Sequence, residues 1–135
     1  LDLSHAVHFP DPVPQPELVN YMHHTDVILA PLTATDRNLI QGCCPLKVLE
    51  GMASGTPVIT SDLPVVRELG EPDRHFLAVR PGSAKAIKDA MLQLQNEATL
   101  RQTLSTQART QIETHYTWTR AAKELIQAYD SLSTA

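Results

Sequence analysis

Residues 42–60 read GCCPLKVLEGMASGTPVIT, and the fold turns on them. They predict a loop, a short helix, a glycine stop and a β-branched strand. Pro45 suits the first helical turn, where its missing N–H costs nothing. Leu46, Leu49 and Met52 recur at helical spacing and predict the inward face. Gly55 is the expected left-handed cap after Ser54, and residues 56–60 run on as a buried strand. Glu50 stands beside the inward face, an odd place for a solvated charge. A carboxylate near a helix N-terminus that follows a loop can bind a polyol and an anion together.

Working outward, residues 6–9, 27–30 and 76–79 join 57–60 as expected parallel strands. They lack the polar alternation of a half-exposed antiparallel sheet. Helices are expected between them over residues 17–25, with Leu18, Tyr21 and Met22 as the apolar face, over 45–54, and over 63–69, with Asp62 as N-cap and Gly70 as stop. From Ser83 the chain reads as helical. Ala84, Ile87, Met91 and Leu94 form one stripe, and Leu100, Leu104, Ala108, Ile112 and Tyr116 a second. A last helix, capped by Thr117, carries Trp118, Leu125, Ile126, Tyr129 and Leu132. The alternation predicts an α/β fold with a parallel sheet, right-handed crossovers and a helical C-terminal segment.

The 135 residues suffice for one domain with a real core. A net charge of −4 favours neither nucleic acid nor anionic lipid as a partner. No apolar run reaches the length of a membrane span. The two cysteines, Cys43 and Cys44, are adjacent, and neighbours rarely bridge, so no disulfide framework is expected and a cytoplasmic setting fits. The chain opens LDLSHAVHF without methionine. That reads as a helix tail running into a strand, and the expectation is a cut inside a larger domain.

Loops at the carboxyl ends of parallel strands are where α/β folds bind ligands. The one from Leu32 to Cys44 is long, and the helix after it offers free N–H groups and a positive dipole end. Glu50 on that helix suits vicinal hydroxyls, or equally a salt bridge or solvent. Arg37 in the loop either reaches an anion or stays solvated. His23 and His24 close a helix, where positive charge is favourable. His5 and His8 bracket a strand, and Trp118 is expected to anchor the last helix by packing.

The stretch PLKVLEGMASGTPVITSDLPVVREL resembles the C-terminal domain of glycosyltransferase family 4 (group 1), retaining enzymes of GT-B fold. AVHFPDPVPQPELVNYMHHTDVILAPL, HFLAVRPGSAKAIKDAMLQL and THYTWTRAAKELIQAYDSL extend the resemblance, in the family's order, over essentially the whole chain. It implies that residues 1–116 are the later part of a Rossmann-like nucleotide-sugar-binding domain. Residues 117–135 would be a closing helix that in the family packs back toward the N-terminal domain.

In that family a motif of Glu, seven residues and Glu binds the nucleotide-sugar donor. Glu50 matches the second Glu, implied to contact ribose hydroxyls. Gly42 stands where the first would be, so the carboxylate that contacts the sugar is absent; Gln41, one position out of register, offers an amide. By the same carry-over, backbone N–H groups of Cys43, Cys44, Leu46 and Lys47 line sugar and diphosphate, Arg37 is a candidate phosphate ligand, and the turn from Pro10 to Val13 lies near the base. No metal or further cofactor is implied, and no catalytic residue is identified.

The family's Arg and Lys phosphate ligands come from segments upstream of anything in this sequence. Its acceptor contacts come from the N-terminal domain, and the missing N-terminal part of the parent chain is thus an expected partner. The family's order also sets two further strands between residues 6–9 and 27–30. The expectation is therefore that the strand order rearranges, or that another molecule fills the gap in a strand-exchanged oligomer. The reading is the donor-binding portion of a glycosyltransferase that moves a sugar from a nucleotide-diphosphate sugar to an unidentified acceptor. A non-catalytic nucleotide-sugar-binding module and a GT-B-fold nucleotide-sugar epimerase are the alternatives. The parent is expected in the cytoplasm, with a peripheral place at the inner membrane surface left open.

Overall fold

Val58, Ile59, Thr60 and Ser61 are all buried. This run is β2 (Val58–Ser61), the centre of a parallel sheet in the order β1-β2-β3. β1 is Ile28–Ala30 and β3 is Leu77–Val79. Ile28 stands opposite Val58, and Ser61 opposite Val79. The computed structural model describes residues 3–133, so the first two residues of the expected N-terminal helix tail and the last two of the closing helix lie outside the described residues.

Six helices flank the strands among the described residues: α1 (Gln15–His24), α2 (Leu46–Ser54), α3 (Pro64–Arg67), α4 (Ala84–Asn96), α5 (Ala98–His115) and α6 (Trp118–Ser133). A five-residue π-helical turn, Arg37–Gln41, lies in the long loop. The pleat sends successive β2 side chains to opposite faces. Val58 packs with Val48, Met52, Val66 and Phe76 in one core cluster, and Ile59 packs with Leu77, Leu94 and Leu104 in a second. The α/β expectation holds.

Local chemistry explains most boundaries. Gly55 ends α2 in the left-handed region at φ 75°, its N–H donating to the Met52 carbonyl. The Ser83 hydroxyl accepts from the Ala86 N–H at 3.2 Å, and that of Thr117 from the Arg120 N–H at 3.3 Å. Leu104 and Ala108 of the α5 stripe are fully buried.

Several expectations fail. Residues 6–9 are not a strand: Ala6 and Val7 donate to the Leu3 carbonyl in a turn, and Phe9 is 90% exposed. The implied order sets this segment two strands away from β1, and without a neighbour to pair with it stays out of the sheet. His5 and His8 therefore bracket no strand. The order of the remaining strands is not rearranged. On α2 the expected Met52 is buried and Leu49 packs half-buried against the core, but Val48 and Gly51 complete that face and Leu46, at the first helical position, is 61% exposed. Asp62 does not cap α3. It forms two hydrogen bonds to the Arg67 guanidinium, at 2.6 and 2.9 Å, which holds its carboxyl below the ordinary carboxylate range. Trp118 anchors nothing, at 91% exposed. α1 buries no residue; it is held by hydrogen bonds from Thr56 Oγ1 to the Met22 carbonyl (2.7 Å) and between His23 Nδ1 and the Ser54 carbonyl (3.1 Å).

Candidate functional site

The loop after β1 is held by side chains rather than by a ladder. The Ser61 hydroxyl donates to the Leu32 carbonyl at 2.7 Å and accepts from the Leu32 N–H at 2.9 Å. One hydroxyl thus satisfies both backbone groups of the residue that opens the loop. Farther along, Asn38 is buried although residues 33–37 and 39–42 are exposed. Its amide donates to the Thr33 carbonyl at 2.7 Å, and its side-chain oxygen accepts from the Cys43 thiol at 3.1 Å.

The chain then turns through Gly42 at φ 77° and ψ 144°, close to a region that only glycine occupies without strain. Pro45 follows at φ −79° and ψ 78°, with the Leu46 N–H donating to the Cys44 carbonyl at 2.9 Å. This is an inverse γ-turn. It corrects one expectation, because the Leu46 N–H is spent internally and cannot serve a ligand. The N–H groups of Cys43, Cys44 and Lys47 have no acceptor among the described residues. They lie at the positive end of the α2 dipole, a place suited to an anion.

Glu50 is exposed, on the second turn of α2. It lines a cleft of about 320 Å³ between α1 and α2, with Gln15, Leu18, Met22 and Arg109 among the other walls. Of the environments the sequence left open for this carboxylate, exposure is the one found, and it leaves both oxygens open to a ligand. Arg109 is committed elsewhere, donating to the Ala53 carbonyl at 3.1 Å and to Glu113 at 2.8 Å. Pro10 and Val13 stand on the approach to α1, the first exposed and the second half-buried. Arg37 and Lys47 are exposed. Tyr116, at the end of α5, donates to the Glu68 carbonyl at 2.8 Å, and desolvation above all pushes its phenol above the ordinary value. No group of three or more His, Cys, Asp or Glu among the described residues is placed to hold a metal ion.

Cys43, Cys44 and Lys47 stand at the start of α2, whereas Glu50 lies on its second turn, in a cleft whose other walls come from α1, the end of α2 and α5. Asn38 and Ser61 went unread, and Tyr116 was read only as the end of an apolar stripe. A serine ending a strand and an asparagine in a loop are ordinary turn signals, and nothing in the spacing marks their partners.

A family model described as "Glycosyl transferases group 1" matches residues 1–97. The D-inositol 3-phosphate glycosyltransferase of Corynebacterium urealyticum is 30% identical over 134 residues, covering 99% of this chain and 30% of its own length. The chain spans about a third of the length of the curated relatives it matches. Among solved structures, sucrose-phosphate synthase from Thermosynechococcus elongatus superposes with a TM-score of 0.83 at 24% identity, over 98% of this chain and 32% of that one. The Anabaena protein HepE in complex with UDP-glucose superposes with a TM-score of 0.71 at 15% identity, over 82% and 29%.

Proposed function

Because the chain belongs to the glycosyl transferases group 1 family, we propose that it supplies the donor-binding half of a glycosyltransferase. The longer protein would move a sugar from a nucleotide diphosphate to an acceptor with retention at the anomeric carbon. The observation that carries this reading is the pairing of unspent N–H groups at the start of α2 with an open carboxylate, Glu50, one turn further on. The first can hold a diphosphate and the second a ribose diol. HepE, a fold neighbour, is described in complex with UDP-glucose, which is consistent with such a donor.

In this reading Glu50 accepts from two ribose hydroxyls. Cys43, Cys44 and Lys47 donate to the diphosphate, the backbone at Gly42 passes near the sugar, and Pro10 and Val13 lie toward the base, with Arg37 in reach of phosphate. As the sugar–phosphate bond loosens, negative charge grows on the leaving diphosphate, and preorganised donors stabilise that charge more than the ground state. The charge is met by N–H and basic groups, so we propose no metal requirement. The exposed apolar side chains of α6, among them Leu125, Ile126 and Tyr129, support its docking on another domain of the longer protein. The free cysteines fit a cytoplasmic setting.

A second reading, a binding module without turnover, is favoured by one observation. Gly42 occupies a conformation that disfavours a carboxylate-bearing residue where the family motif has one.

The test is Glu50→Gln in the protein that carries this chain, with binding of UDP-glucose, GDP-mannose and ADP-glucose measured by calorimetry. The donor that binds the parent should lose about tenfold or more in affinity, the scale of hydrogen bonds to a charged group, with the melting temperature unchanged. Unaltered affinity rejects the ribose role.

A further inference from the structure

We infer that Asn38 is a positioning residue for the diphosphate end of the donor site. This inference rests on the donor-binding reading above and adds to it a residue that touches no ligand. Asn38 is 8% exposed, in a loop whose neighbouring residues face solvent. A buried amide is costly unless its groups are bonded, and here both ends are used. Nδ2 donates to the Thr33 carbonyl at 2.7 Å, and Oδ1 accepts from the Cys43 thiol at 3.1 Å. Its backbone N–H adds a bond to the Thr35 carbonyl at 2.9 Å.

One side chain thereby joins the start of the loop to its end. The start is itself fastened to the sheet, because Ser61 takes both backbone groups of Leu32. The end is Cys43, followed directly by Cys44 and the γ-turn into α2. A continuous path of hydrogen bonds and short backbone therefore runs from β2 through Leu32, Thr33, Asn38 and Cys43 to the free N–H groups. It bridges over Gly42, whose glycine backbone has the widest conformational freedom in the loop and most needs an external constraint. The path also gives Cys43 a task for its side chain, since a thiol is a weak donor small enough to reach Asn38. Donors held in place before binding lose less entropy when the ligand arrives.

The experiment compares binding of UDP, GDP and ADP, and of the matching monophosphates, to the protein that carries this chain and to Asn38→Ala, Cys43→Ala and Cys43→Ser. For the base that binds, the parent should prefer diphosphate to monophosphate. Asn38→Ala should reduce that preference at least fivefold. Cys43→Ala should do the same, and Cys43→Ser, which keeps a donor, should stay within twofold of the parent. A general weakening of the fold would lower affinity for both nucleotides alike and leave the preference unmoved, which overturns the inference. If Asn38→Ala fails to fold, the Cys43 pair decides: equal preference in Cys43→Ala and the parent overturns it. A parent that binds none of the diphosphates instead overturns the donor-binding reading itself.

Discussion

Gly70 shows how closely single residues are fitted here. A Cβ at that position would lie 2.8 Å from His75 Nδ1 and 3.0 Å from its Cγ. The ring cannot retreat, because His75 is 4% exposed and its Nδ1 accepts from the Glu71 N–H at 2.8 Å. Burial first, and the nearby Arg74 charge next, hold this imidazole below its ordinary value, which favours the neutral form that can accept. Gly70→Ala should therefore cost about 1–3 kcal/mol, the price of breaking a buried hydrogen bond, read as a lower urea midpoint with an unchanged slope. Gly70 was expected as a helix stop, but α3 ends earlier, at Arg67, and the contact of Gly70 with His75 was not legible, since close approach leaves no trace in spacing. Gly42 is the complementary case. Its place in the motif is visible in the sequence, while the positive φ that suits glycine there needs the backbone.

Among the elements, α5 and α6 are a natural contrast. Both carry apolar residues that the sequence was expected to bring to helices. The stripe on α5 is covered by α2 and the sheet, with Leu104 and Ala108 fully buried, whereas on α6 Ile126 is 60% and Leu132 74% exposed. Leu104→Ala should destabilise the chain by about 2–5 kcal/mol, from lost transfer energy and the cavity left behind. Ile126→Asp should change stability by no more than about 0.5 kcal/mol, as surface substitutions do. Chemical denaturation of the two variants checks both, and a large loss for Ile126→Asp would show α6 packed on the rest of the chain. Periodicity tells which face of a helix is apolar and says nothing of what covers it, so Trp118 was misread as an anchor. Cap chemistry is more local, and Ser83, Thr117 and Gly55 were legible for that reason.

At the scale of the whole molecule, the sheet has an open side. Among the described residues β1 pairs only with β2, and Leu29 in its middle is 44% exposed. An apolar strand with free backbone groups along one side is a template for another chain. Leu29→Lys should shift the 135-residue chain toward monomer in light scattering, because a charge on an edge strand opposes pairing. A parent chain that is already monomeric would remove the premise of strand exchange. The α/β class was legible because three unalternating apolar runs alternate with helices. The fourth run, residues 6–9, was not legible as coil, since a strand exists only with its neighbour, and neighbours are a property of the fold. The loop from Leu32 to Cys44 carries the last consequence. Ser61 clasps its start and the Asn38 side chain ties Thr33 to Cys43, while backbone hydrogen bonds at Thr35 and the π-helical turn hold the span between. Residues such as Thr35, Asp36, Leu39 and Ile40 form an exposed cassette. Libraries randomised at those four positions, with both clasps kept, are a route to altered ligand preference on an unaltered scaffold.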